Sequence, residues 1–207
     1  MSSAGNLREG HDAVATDGLL ERVFLTGRSY KTWQDRPVDP AILQGLYDLM
    51  KYGPICTNCC PLRVKFVVSP EAKDVLHEAM AEVNKLKVAT APVSAILGMD
   101  MAYPDTLPVL FPNAPKVPDM YRSNAALLEE TGFRNSSMQA GYFILAARAY
   151  GLDCGPMSAF DKAKVDAAFW AGTAVETNLI CNLGYGKPED VPPRDPRLAF
   201  DEACEIL

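Results

Sequence analysis

The sequence predicts a mixed fold in which helices are interspersed with isolated strands around one core, and three observations carry that reading. Apolar residues recur three and four positions apart in several windows, which is the helical spacing. Short apolar runs, RVKFVV at 63–68 and PVSAILGM at 92–99, read as strands. A chain of 207 residues, 48% hydrophobic and 22% charged, has the size and balance of a single soluble domain.

The elements follow in chain order. The polar start reads as a flexible tail over 1–15, with one domain over 16–207. From Thr16 the pattern turns helical through Leu19, Leu20, Val23 and Phe24, with Gly27 placed as a stop. Asp39 and Pro40 form an N-cap with proline in the first turn, and Ile42, Leu43, Leu46 and Met50 make one apolar stripe behind them. That helix leads into YGPICTNCCP at 52–61, with three cysteines in five positions, and then the first strand. Ser69 and Pro70 start a helix whose buried side should carry Leu76, Met80 and Val83. After the second strand, five prolines between 104 and 118 predict a long surface excursion without regular helix. A long helix from about Asn124 to Tyr150, apolar on more than one face, ends at Gly151. A short helix near Asp161–Trp170 and a strand in TNLICNLG at 177–184 complete the pattern.

Composition narrows function. The net charge of -6 argues against broad nucleic-acid binding, which needs clustered Lys and Arg. No membrane-spanning or signal-like run is legible, so the expected location is cytoplasmic, where six cysteines fit reduced, mostly buried thiols better than disulfides. Cys56-x-x-Cys59 resembles half of a zinc knuckle, but His11, His77 and the later cysteines do not supply the other half. Gly184-Tyr185-Gly186 reads as a turn, lacking the rest of a dinucleotide fingerprint. No phosphate-cradling P-loop or nucleophile elbow is present, a pattern of enzymes that borrow reactivity from an organic cofactor.

The cations then gain interest. Arg28-Ser29-Tyr30-Lys31, with Arg194 and Arg197 near the other terminus, reads most simply as solvated charge; brought together, these residues suit a dianionic phosphate. Asn84 and Lys87 lie three apart on one helix and can reach the same side. Glu130 and Arg134 read as a local helix pair, His77 as structural or solvated, and Trp33, Trp170, Phe133 and Phe169 as core.

Taken together, GRSYKTW, YGPICTNCCPLRVKFVV, NKLKVATAPV, GLDCGPMSAFD, LGYGKPED and PPRDPRLAFDEA resemble, in order and spacing, the FMN-dependent nitroreductase superfamily from about residue 17 to the C-terminus. FRNSSMQA and PRLAFDEAC look most like the branch holding the malonic semialdehyde reductase of pyrimidine degradation. The resemblance implies an α+β fold, a mainly antiparallel sheet wrapped by helices, and an intertwined homodimer with shared active sites. It implies a ping-pong hydride relay from NADH or NADPH through FMN to a small acceptor, with malonic semialdehyde favoured and broad nitro, quinone or enone reduction behind it. Arg28 and Ser29 match FMN phosphate and ribityl contacts, and Lys31 the pyrimidine edge. Asn84 and Lys87 match the O4/N3 and N1/O2 side, and Arg194 and Arg197 a phosphate clamp spaced Arg-x-x-Arg where relatives have Lys-x-Arg. Pro54, Ile55, Cys56 and Asn58 match a loop reaching the neighbouring subunit's flavin, with cysteines as packing residues. Pro156, Met157, Ser158 and Ala159 match the loop near flavin N5, Ser158 through its backbone, so no side chain is itself catalytic. The alternative of another class is a flavin- or zinc-binding module without turnover.

Overall fold

Strand β2 (Val93–Asp100) is buried along all but its last residue, which requires cover on both faces, and the computed structural model, describing residues 17–207, supplies it. The tail expected over 1–15, His11 and the helix start at Thr16 lie outside the described residues. β1 (Leu62–Val67), β2, β3 (Asp153–Met157) and β4 (Val175–Gly184) pair antiparallel in the order β1-β2-β4-β3, giving the expected α+β architecture.

Side chains alternate across the sheet, so each face has its own core. Val93, Ala95, Leu97, Cys181 and Leu183 meet Leu46, Phe143 and Ala147 from α2 (Pro40–Met50) and α7 (Ala125–Ala149). Ile96 and Ile180 meet Leu76 and Val88 from α3 (Pro70–Ala79) and α4 (Glu82–Thr90), and Val165 from α8 (Lys162–Phe169). Each fully buried Val, Leu, Ile or Phe among them contributes about 1.5–3 kcal/mol of transfer free energy.

The start signals hold atom by atom. Asp39, Ser69, Asn124 and Asp161 each accept a backbone N–H in the first turn of the helix that follows. Gly151 takes φ +87 just after α7, a left-handed exit open to glycine. The first helix is shorter than its pattern: α1 (Asp17–Leu20) passes into one wide turn over Glu21–Leu25.

Several expectations are corrected. The helix from Pro70 breaks at Met80, which pairs with Phe160 as an isolated bridge while the Ala81 N–H bonds the Ala159 carbonyl; α4 then restarts on a new axis and leaves Val83 72% exposed. The proline-rich excursion contains a helical turn at Tyr103–Asp105, α5 (Leu107–Leu110) and α6 (Val117–Arg122). Pro104, Pro108 and Pro118 sit in first turns, where a missing N–H costs nothing. This segment is packed, not merely superficial: Tyr103, Leu107 and Tyr121 form a third cluster with Cys59. Pro156 and Met157, expected in a loop, end β3, because an edge strand tolerates a proline. Phe133 is 59% exposed, and the buried face of α7 is polar in its first half, through Thr131, Asn135, Ser136 and Gln139. Among the cysteines, Cys59, Cys154 and Cys181 are buried but Cys56 and Cys204 are exposed, and all six are free thiols.

Among the described residues, no helix is long and apolar enough to cross a membrane. Asp39→Ala removes the cap that starts α2 and should cost about 1 kcal/mol. A urea midpoint shifted down with unchanged slope is the expected reading.

Candidate functional site

The segment Arg28–Lys31 has no regular structure of its own and is laid against β3. Ser29 pairs with Cys154 in a parallel bridge, and the Tyr30 N–H bonds the Cys154 carbonyl at 2.9 Å. Tyr30 rests on Gly186, where an added Cβ would stand 1.9 Å from its ring, so the glycine of the Gly-Tyr-Gly turn is set by close approach.

The C-terminal residues are tied to residues 25–28 by reciprocal arginine-to-carbonyl bonds. Arg28 donates to the Pro192 carbonyl at 2.6 Å. Arg194 donates from one nitrogen to the carbonyls of Leu25 and Gly27, each at 2.9 Å. Among the described residues Arg197 bonds only neighbouring carbonyls, of Asp195 and Pro196. Between the two segments lies a cavity of about 420 Å³ whose lining includes Arg28, Ser29, Lys31, Arg194 and Arg197, with Asp190 and Asp195 as the acidic members. The cavity adds a cation the sequence did not single out, Arg148, from the last turn of α7.

Asn84 and Lys87 stand beside this cavity's lysine. Burial, then the charge of Lys31, lowers the Lys87 pKa below the ordinary lysine value. Asn84 is 4% exposed, donates to the Ala159 carbonyl at 3.0 Å and accepts from Lys87 Nζ at 2.6 Å. Asn182 on β4, also buried, donates to the Lys87 carbonyl at 2.8 Å and fixes α4 against the sheet. The N-terminal motif, the α4 pair, the end of β3 with Ser158 and Ala159, and the C-terminal arginines thus gather on one side of one chain.

Pro54, Ile55, Cys56 and Asn58 do not join them; among the described residues no hydrogen bond connects the groups, and the loop does not line the cationic cavity. This loop is clamped to the long helix instead. Asn135 accepts from the Cys56 N–H at 2.8 Å, Gln139 accepts from the Leu62 N–H at 3.0 Å, and the Tyr142 hydroxyl donates to the Pro54 carbonyl at 2.8 Å. Positions 135, 139 and 142 share one helix face, a spacing visible in the sequence as polar residues interrupting an apolar stripe. The clamp holds an unusual backbone: Thr57, Asn58 and Cys60 take φ of 49, 49 and 41, and strain of this kind concentrates at functional sites.

Two cysteines of the loop, Cys59 and Cys60, are poor nucleophiles. Burial, with Cys56 and Cys60 close by, pushes the Cys59 thiol up to about 12, and burial also raises Cys60. Among the described residues, no group of three or more His, Cys, Asp or Glu side chains is disposed to hold a metal ion.

Comparison with known proteins is consistent with this geometry. The Nitroreductase family matches residues 26–185. A Burkholderia lata protein provisionally named NADH dehydrogenase/NAD(P)H nitroreductase is 53% identical over 191 residues, covering 92% of this chain and 97% of its own. The similarly named HadB of Ralstonia pickettii is 51% identical over 189 residues, covering 90% and 96%. A provisionally named nitroreductase of Exiguobacterium sibiricum, solved in complex with FMN, superposes with a TM-score of 0.83 at 20% identity, covering 94% of this chain and 99% of its own, a likeness of fold.

Asn135→Ala removes the acceptor of the part-buried Cys56 N–H bond, a loss of about 0.5–1.5 kcal/mol. Amide hydrogen exchange at Cys56 should quicken in that variant while exchange along β2 stays unchanged.

Proposed function

Because this chain belongs to the nitroreductase family, we propose that it is an FMN-dependent NAD(P)H oxidoreductase working by a ping-pong hydride relay. The observation that carries the reading is the cationic cavity built from both ends of the described chain, with Lys31 in its lining and Lys87 close to that lysine. Arg28, Lys31, Arg148, Arg194 and Arg197 against Asp190 and Asp195 make a donor set suited to a phosphate dianion. FMN, when bound, supplies the ring chemistry that takes a hydride from NADH or NADPH and gives it to the acceptor.

The chain supplies binding, orientation and charge. Arg28, Ser29, Arg194 and Arg197 would hold the phosphate and ribityl chain. Arg197 is the freer of the two C-terminal arginines, because Arg194 already serves the Leu25 and Gly27 carbonyls. Lys31 and Lys87 repel each other until an anionic ring edge lies between them, so their fixed charge favours electron uptake. Asn84, already bonded to Lys87 and Ala159, would orient the ring, and Pro156, Met157, Ser158 and Ala159 would lie along it, with the Ser158 backbone N–H nearest N5.

The loop Pro54–Asn58 lies apart from these groups within one chain, which supports a homodimer in which a second copy brings it to the flavin. Exposed apolar side chains at Phe24, Leu49, Tyr52 and Phe133 support a large contact between copies. Residues 16–207 would act as one FMN-binding domain, and six free thiols suit the cytoplasm.

Malonic semialdehyde, reduced to 3-hydroxypropionate, is the favoured acceptor, supported by the FRNSSMQA, GLDCGPMSAFD and PRLAFDEAC segments. Broad nitro, quinone or enone reduction is the second reading, its nitro part favoured by the nitroreductase names of the Burkholderia and Ralstonia relatives. A zinc-binding module has no donor set in its favour among the described residues, and a passive flavin binder would stay yellow on adding NADPH. In a side-by-side panel, kcat/KM for malonic semialdehyde should exceed that for nitroaromatic, quinone and enone acceptors by at least about tenfold, near 1.4 kcal/mol of transition-state binding. A nitroaromatic or quinone in first place would overturn the substrate assignment. Lys31→Ala and Lys87→Ala should each lower the bound flavin's reduction potential and loosen FMN; spectroelectrochemistry and retention on desalting check this.

A further inference from the structure

The last turn of α7 carries a basic residue, Arg148, that no sequence motif singles out. Its surroundings say more. Arg148 Nη1 donates to the Val23 carbonyl at 2.8 Å and Nη2 to the Arg28 carbonyl at 3.2 Å, so the planar fork spans the turn between them. An added Cβ on Gly27 would stand 3.0 Å from the Arg148 guanidinium, which keeps that position bare. The Arg148 carbonyl accepts from Arg22 Nε at 2.7 Å, closing the tie from the other side.

Two features remain that the tie does not explain. Arg148 Nε is buried without a hydrogen-bond partner, and among the described residues no carboxylate pairs with this guanidinium. A partly buried cation lacking an acid is costly unless an anion meets it. The side chain lines the same cavity as Arg28, Ser29, Lys31 and Arg197. We propose that Arg148 is a positioning residue for the FMN phosphate, holding the 23–28 turn that presents Arg28 and Ser29 and adding its own charge to the cavity. This rests on the FMN reading above.

The test compares FMN with riboflavin, which lacks the phosphate, by titrating full-length apoprotein of the wild type, R148Q and R148K. Wild type should prefer FMN. R148Q keeps one amide donor for the turn but loses the charge, and should lose at least about tenfold in FMN affinity while riboflavin affinity moves less than about twofold. R148K keeps the charge and should retain the FMN preference within about threefold of wild type. A purely structural Arg148 would weaken both flavins in parallel in R148Q, and that result, or unchanged FMN affinity, overturns the assignment. If R148Q does not fold, R148K decides alone: a preference falling more than about tenfold overturns it. A wild type binding both flavins equally would refute the phosphate site itself, and Arg148 with it.

Discussion

The cross-tie between Arg28 and Pro192 on one side, and Arg194 and Gly27 on the other, is the constraint on which the rest of the site depends. Without it, residues separated by more than 160 positions would have no reason to face each other. Each bond uses a charged donor on a neutral carbonyl, so it holds the backbone without cancelling the charge. The cavity therefore keeps its positive character while the chain that encloses it is fixed. Cations gathered in this way repel one another, by about 1 kcal/mol per pair at 4 Å in water and by more where water is displaced. The fold tolerates that repulsion because carbonyls from Leu25, Gly27, Val23, Arg28 and Pro192 face the guanidinium groups.

Division of labour across the sheet follows from the same economy. One face of the sheet packs α2 and α7, the other α3, α4 and α8, and the cation groups gather around edge strand β3 and the end of α4. At the opposite edge, β1 and the loop before it are held by amide side chains of α7. A long helix thus contributes an apolar middle to the core, a polar row to the loop and an arginine to the cavity. A substitution on α7 can consequently disturb either region without touching a ligand.

Much of this was legible in the sequence where a local rule decides the outcome. Asp39-Pro40, Ser69-Pro70, Asn124 and Gly151 mark helix ends through bonds a residue makes with its own neighbours. The break between α3 and α4 was not legible, because Met80 and Ala81 leave the helix to pair with Phe160 and Ala159, partners far along the chain. Prolines between 104 and 118 suggested the absence of helix, yet short helices absorb them in first turns. In the site, Arg28, Ser29, Lys31, Asn84 and Lys87 could be named from the order of motifs, whereas Arg148, Asn135 and Gln139 look like routine helix residues. Their roles come from which carbonyls and amides the tertiary fold places before them.

A crystal structure of the FMN-loaded protein tests the central claim most directly. The account predicts the phosphate within hydrogen-bond distance of Arg28, Ser29 and Arg197, with the ring beside Lys31 and Lys87 and the partner subunit's 54–58 loop against it. FMN seated instead in the cavity of about 590 Å³ beside Leu43, Tyr47 and Phe66, or a ring enclosed entirely by one chain, would contradict it.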